Sequence, residues 1–265
     1  MNSKLHAILL LSALSLASCR GWVLEDRTDC PHLLYFDIQN AGSFVDGTQV
    51  QLHAYSYPTG QRLRESATTV RDIQDRSFAL TVKATPYVKG FACIGAESLV
   101  QREDAWTLPR GLSYAALFRF SYLAPVPEED GVVPVEMLKE YAGVRLQFAG
   151  EREPFEPVIS AGTCGISPET GDPVPGPFEC RPEADSDGCY AFNLPRLSDG
   201  QLILSLYDGE RLLETVDLYR ILQEEGGITW KERNLPDVAL VIDRAQSTVQ
   251  IQVMPWEGQN LSYEY

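Results

Sequence analysis

The cysteines are the residues whose chemistry is most sharply defined by their surroundings. Cys19 closes the tetrapeptide Leu16-Ala17-Ser18-Cys19, which follows Lys4 and an apolar run from residue 5 to 16. A short positive segment, an apolar stretch too short to span a bilayer and small residues before a cut site form a secretory signal. A cysteine directly after that site matches the bacterial lipobox. In that pattern the peptide is cut between Ser18 and Cys19, and the Cys19 sulfur carries a diacylglycerol. Each buried methylene contributes about 0.8 kcal/mol, so two or three acyl chains such as palmitate form a firm tether. Arg20 follows where an aspartate would signal inner-membrane retention, which favours the outer membrane.

Five cysteines remain, Cys30, Cys93, Cys164, Cys180 and Cys189. Exported proteins form disulfides, and an odd number leaves at least one thiol free or paired between chains. Cys30 with Cys93 would staple the first half. Two of Cys164, Cys180 and Cys189 would staple a loop in the second, contributing about 2–3 kcal/mol. Reduced, buried thiols are the alternative.

Other reactive residues are sparse. The mature chain has two histidines, His32 and His53, and no GxSxG, HExxH, CxxC or phosphate-loop pattern. No catalytic, cofactor-binding or metal-ligating set emerges, and no cofactor is expected. The run Glu183-Ala184-Asp185-Ser186-Asp187-Gly188 resembles the start of a calcium loop, but Leu194 occupies the twelfth position, where a bidentate carboxylate is needed. It reads as an acidic turn. Trp22, Trp106, Trp230 and Trp256 could stack on sugars or fill a core.

The chain of 265 residues carries a formal charge of −15. Removing the first 18 residues takes away only Lys4 and leaves 21 basic and 37 acidic side chains, a net −16. That surface repels nucleic acid and anionic headgroups and favours solubility.

The elements that must position these residues are strands. Alternating apolar and polar residues mark 32–39, 49–57, 76–83 and 248–254, with further apolar runs at 87–96, 112–123, 143–148, 190–197, 201–207, 211–216 and 237–243. Residues 217–225 suit one short helix. A proline- and acid-rich stretch near 124–131 suits a linker, and 150–188 reads as one long excursion. The expected organisation is a signal peptide (1–18), a tether (19–29), an N-terminal β-sandwich (30–124), a linker (125–134) and a C-terminal β-sandwich (135–265). The fold class is all-β, two tandem sandwiches with a short helix in the second.

The order of several segments resembles the FimB-type fimbrial anchor family, the lipoprotein anchors of donor-strand (type V) pili. They are the lipobox cysteine, Asp29-Cys30-Pro31 leading into Leu34-Tyr35-Phe36, Phe192-Asn193-Leu194-Pro195-Arg196-Leu197, Thr215-Val216-Asp217-Leu218 and Val249-Gln250-Ile251-Gln252-Val253-Met254-Pro255-Trp256. The resemblance spans essentially the whole mature chain. It implies transthyretin-like sandwiches and a non-enzymatic role in cell adhesion. It further implies an outer-membrane, cell-surface protein whose partners are fimbrial shaft or accessory subunits, held by β-strand addition. Two other classes stay open, a surface glycan-binding lipoprotein of similar architecture and a hydrolase with paired carboxylates or a buried histidine.

Overall fold

A computed structural model describes residues 32–82, 86–102, 104–126, 130–150, 155–198 and 200–256. Cys19, Ser18, Trp22 and Cys30 lie outside these residues.

The described chain forms two β-sandwiches, each built from a small sheet on a larger one. In the first, β1 (His32–Ile38) lies between β4 (Leu80–Val82), antiparallel to it, and β9 (Gly131–Val135), parallel to it. The facing sheet runs β10 (Leu138–Lys139), β8 (Phe118–Pro125), β5 (Tyr87–Ile94), β2 (Gln49–Tyr57), β3 (Arg62–Thr69), all antiparallel. Period-two alternation sends Leu34, Phe36 and Ile38 from β1 and Val50, Leu52 and Ala54 from β2 into one core.

The second sandwich repeats the arrangement. Here β11 (Tyr141–Ala149) lies between β14 (Cys189–Pro195), antiparallel, and β17 (Asp237–Asp243), parallel, with β18 (Thr248–Met254) completing the sheet. The other sheet places β12 (Glu156–Ile166) beside β13 (Pro173–Cys180) and β15 (Leu202–Asp208), with β16 (Arg211–Asp217) outside β15. Helix α2 (Leu218–Glu224) starts at Asp217, whose carboxylate accepts from the Arg220 N–H, and buries Leu218, Ile221 and Leu222. This is the helix expected from residues 217–225.

Several segments differ from their sequence reading. Residues 150–188, read as one excursion, hold the β12–β13 hairpin. The prolines at 173, 175 and 177 hid it, and they are tolerated because, among the described residues, β13 pairs only with β12. Residues 131–134, read as linker, form β9 (Gly131–Val135) with Val135, which was assigned to the second sandwich, and a parallel partner places the strand beside β1 in the first. Of the described residues 76–82 only Leu80–Val82 forms a strand. Of 112–123 only the part from Phe118 does, while Tyr114 and Leu117 run into the core. The first sandwich also carries an unforeseen helix, α1 (Val70–Gln74), capped by Thr69 through the Asp72 N–H.

The two sandwiches share structure across their boundary. Strands β6 (Val100–Gln101) and β7 (Trp106–Thr107) come from the first half but extend the second sandwich's sheet, because Gly165 and Ile166 of β12 pair with Thr107 and Trp106. A Cβ on Gly165 would stand 2.1 Å from the Trp106 carbonyl oxygen, so only glycine lets β7 approach. Strand β5 serves both cores: Val88, Ala92 and Ile94 face the first, and Phe91 and Cys93 face the second.

Candidate functional site

Three features stand out: the junction between the sandwiches, the sheet edges, and the cysteines. The junction is the most heavily built. Glu140 sits between β10 and β11 and is 2% exposed at its side chain. Its Oε1 accepts from Arg119 Nε and Nη2 at 3.2 and 3.0 Å, and its Oε2 accepts from Arg196 Nε at 2.9 Å. Arg119 comes from β8 of the first sandwich. It also donates to the carbonyls of Pro168, Glu169 and Thr170 in the β12–β13 turn of the second. Gly171 in that turn has φ +80°, and a Cβ there would stand 2.1 Å from Arg119 Nη2. Lys89 of β5 pairs with Glu169 at the rim. Arg196 completes its donors on the carbonyls of Trp230, Glu232 and Arg233.

Lys139, the neighbour of Glu140, is fully buried. Its Nζ donates to Asp237 Oδ1 at 2.6 Å and to the Leu235 carbonyl at 3.0 Å, and it lies over the Tyr141 ring. Burial lowers the Lys139 pKa, and the Asp237 carboxylate opposes that shift. Each buried charge therefore has a partner and further hydrogen bonds, the condition under which burial of ions is tolerated. Spacing gave little warning of this, because Arg119, Glu140 and Arg196 lie far apart in the chain.

His53 belongs to the same junction. Sequence alternation places it on the polar side of β2 with Gln49 and Gln51, yet that side is covered by the second sandwich. The His53 ring stacks on Phe91 at 4.5 Å and meets Trp106 edge-on at 5.8 Å, and its Nε2 has no hydrogen-bond partner. Burial, with Arg62 nearby, lowers its pKa to about 4. A neutral imidazole between these rings serves as a packing group in the junction. His32 lies at the start of β1.

Cys93, Cys164, Cys180 and Cys189 are all thiols in the structure. Cys93 faces Gln51 and Arg119 in the ladder, Cys180 faces Ile159, and Cys189 faces Gln147 in the other sheet. The register thus gives none of them a cysteine opposite. Burial pushes the Cys180 thiol up to about 12, and Cys93 and Cys164 shift upward for the same reason.

At the acidic turn, Asp185 accepts from the N–H groups of Asp187 and Cys189 at 2.9 and 2.8 Å, which is turn chemistry. Among the described residues no group of three or more His, Cys, Asp or Glu side chains could hold a metal ion. Trp106 and Trp230 are buried, and Trp256 packs on Phe118. A cleft of about 490 Å³ opens between β16, α2 and the β17–β18 turn, lined by Glu214, Asp217, Arg220, Arg244, Thr248 and Val249 among others. Among the described residues no helix is long and apolar enough to cross a membrane.

No family model matches the chain, and no curated protein matches it. Solved structures do. A candidate polysaccharide-binding protein from Bacteroides thetaiotaomicron is 13% identical with a TM-score of 0.62, covering 88% of this chain and 100% of its own. A candidate adhesin from the same organism is 13% identical with a TM-score of 0.60, covering 85% and 98%. The fimbrial anchor protein Mfa2 from Porphyromonas gingivalis is 12% identical with a TM-score of 0.58, covering 86% and 98%. At these identities the likeness is one of fold: this chain has the two-sandwich architecture also found in fimbrial anchor and adhesin proteins.

Proposed function

We propose that this protein is a lipid-anchored, non-enzymatic anchor or accessory subunit of a fimbria, of the FimB type, held at the outer membrane and exposed at the cell surface. The observation that carries the reading is a lipobox cysteine placed ahead of two sandwiches whose fold matches Mfa2 over nearly its whole length. The junction supports it. A tether under load needs its two ends joined by a stiff body, and the paired charges around Glu140 and Lys139 fasten one sandwich to the other. Shaft or accessory subunits are held through β-strand contacts along the sheet edges. The test is to replace Cys19 by Ala in the native cell and compare fimbriae on washed cells with fimbriae in the medium. Polymer shifted into the medium supports the tether; polymer unchanged on the cells overturns it.

A glycan-binding surface lipoprotein is the second reading. It is favoured by Tyr57 and Tyr87, directly opposite on β2 and β5, each 44% exposed, with rings 6.4 Å apart and perpendicular. Saccharide affinity that disappears in a Tyr57→Ala, Tyr87→Ala variant would support it. No affinity across a glycan array would remove it.

A further inference from the structure

Sheet edges differ in how they are guarded. Unpaired edges invite strand addition, and proteins blunt them with charge, proline or shortness. Among the described edges, β3 carries Arg62, Arg64 and Glu65, and β16 carries Arg211, Glu214 and Asp217. β9 carries Pro134 and β13 carries prolines 173, 175 and 177. β4, β6 and β10 are two or three residues long. β14 ends in Pro195, and Tyr190 is bridged by Ala184.

β18 has none of these devices. Its seven residues, Thr-Val-Gln-Ile-Gln-Val-Met, include no charge, proline or glycine, and no charged residue occurs from Ala245 to Trp256. Its outer side has no hydrogen-bonded neighbour among the described residues. Val249, Ile251 and Val253 lean on the second core yet stay only half-buried, while Gln250 and Gln252 are exposed.

The order of these residues indicates the occupant. Val249-Gln250-Ile251-Gln252-Val253 reads the same in both directions. An antiparallel copy related by a two-fold axis at Ile251 would set Val249 against Val253, Gln250 against Gln252 and Ile251 against itself. Apolar side chains would meet on the core face and amides on the outer face. A one-residue slip would oppose glutamine to valine, and a two-residue slip would keep the alternation but match fewer residues, so pairing centred on Ile251 matches the longest stretch. A two-fold contact is self-complementary and closed, which uses up the edge.

We propose that β18 is the contact through which a second copy of this chain pairs, antiparallel and centred on Ile251, joining two four-stranded sheets into one of eight. The proposal goes beyond the fimbrial reading and leaves the other edges for different subunits. If that reading holds, each assembly carries two acylated cysteines. Each copy is strongly acidic, so the pairing works against long-range repulsion and tightens as salt rises.

The test is sedimentation equilibrium of the Cys19→Ala mature chain from about 1 to about 100 μM, a range that resolves micromolar association. The expected mass is twice that of the chain, with tighter association in higher salt. Gln250→Lys with Gln252→Lys sets like charges directly opposite and should raise the dissociation constant at least tenfold, with unchanged circular dichroism confirming the fold. Mixing that variant with Gln250→Glu, Gln252→Glu chains should restore the dimer. A wild-type monomer throughout, or a dimer indifferent to both variants, overturns the proposal. A monomer whose lysine variant also sheds fimbriae from cells overturns it too, and gives the edge to another subunit. The anchor reading fails separately, through the Cys19→Ala result in cells.

Discussion

Arg119 and Arg196 grip opposite oxygens of one carboxylate, Glu140, and reach it from different sandwiches. The guanidinium groups spend their remaining donors on backbone carbonyls of the second sandwich, so among the described residues the carboxylate is the one ion-pair partner of both. Replacing Glu140 by Gln would leave two buried cations facing a neutral amide. The expected loss is about 3–5 kcal/mol, the range for breaking one side of a buried ion network. Urea unfolding of the variant, followed by tryptophan fluorescence, reads that loss. Small-angle scattering should show the two sandwiches moving apart before either unfolds.

His53 makes the fold sensitive to acid. Its folded pKa, about 4, lies below the ordinary value of 6.5, so the unfolded chain binds the extra proton between those two pH values. Stability contributed by the neutral ring is therefore complete above pH 6.5 and is lost as pH falls towards 4. The loss accumulates across that window, because the unfolded imidazole takes its proton first. His53→Leu keeps the packing against Phe91 and Trp106 and should flatten this part of the pH profile. Thermal melts of both proteins from pH 7 to 4 give the comparison, and parallel curves would contradict it.

Gly165→Ala tests the strand exchange between the halves. The new methyl group meets the Trp106 carbonyl at 2.1 Å, so β7 must lift away from β12. Overpacking of this kind costs about 1–3 kcal/mol. Hydrogen exchange should quicken at Trp106 and Leu108, whose N–H groups lie in or beside this pairing; Leu108 donates to the Cys164 carbonyl.

The four described thiols should separate by exposure. Cys93 and Cys180 are buried and shifted upward, while Cys164 and Cys189 are half-buried. Alkylation of the native protein, mapped by peptide mass spectrometry, should mark Cys164 and Cys189 first. Cys93 and Cys180 should react only after unfolding.

Strand existence was legible wherever one face of a strand meets a core and the other meets water. Residues 248–254 and 32–38 alternate cleanly for that reason, and the short helix was announced by Asp217 ahead of Leu218, Ile221 and Leu222. Residues 62–69 were not legible, because an edge strand packs little and so carries Arg and Glu without penalty. Phe91 and Cys93 looked like part of an apolar run with no assigned face.

By itself the sequence determined the all-β class and the alternation that orients most strands, since these depend on neighbours within a few residues. The tertiary structure alone decided that β7 joins the other sandwich, that the polar side of β2 around His53 is covered, and that Glu140 meets two arginines. Those outcomes depend on which distant segments share a surface, and a buried charge or a close-approach glycine shows its purpose only when its partner is in place.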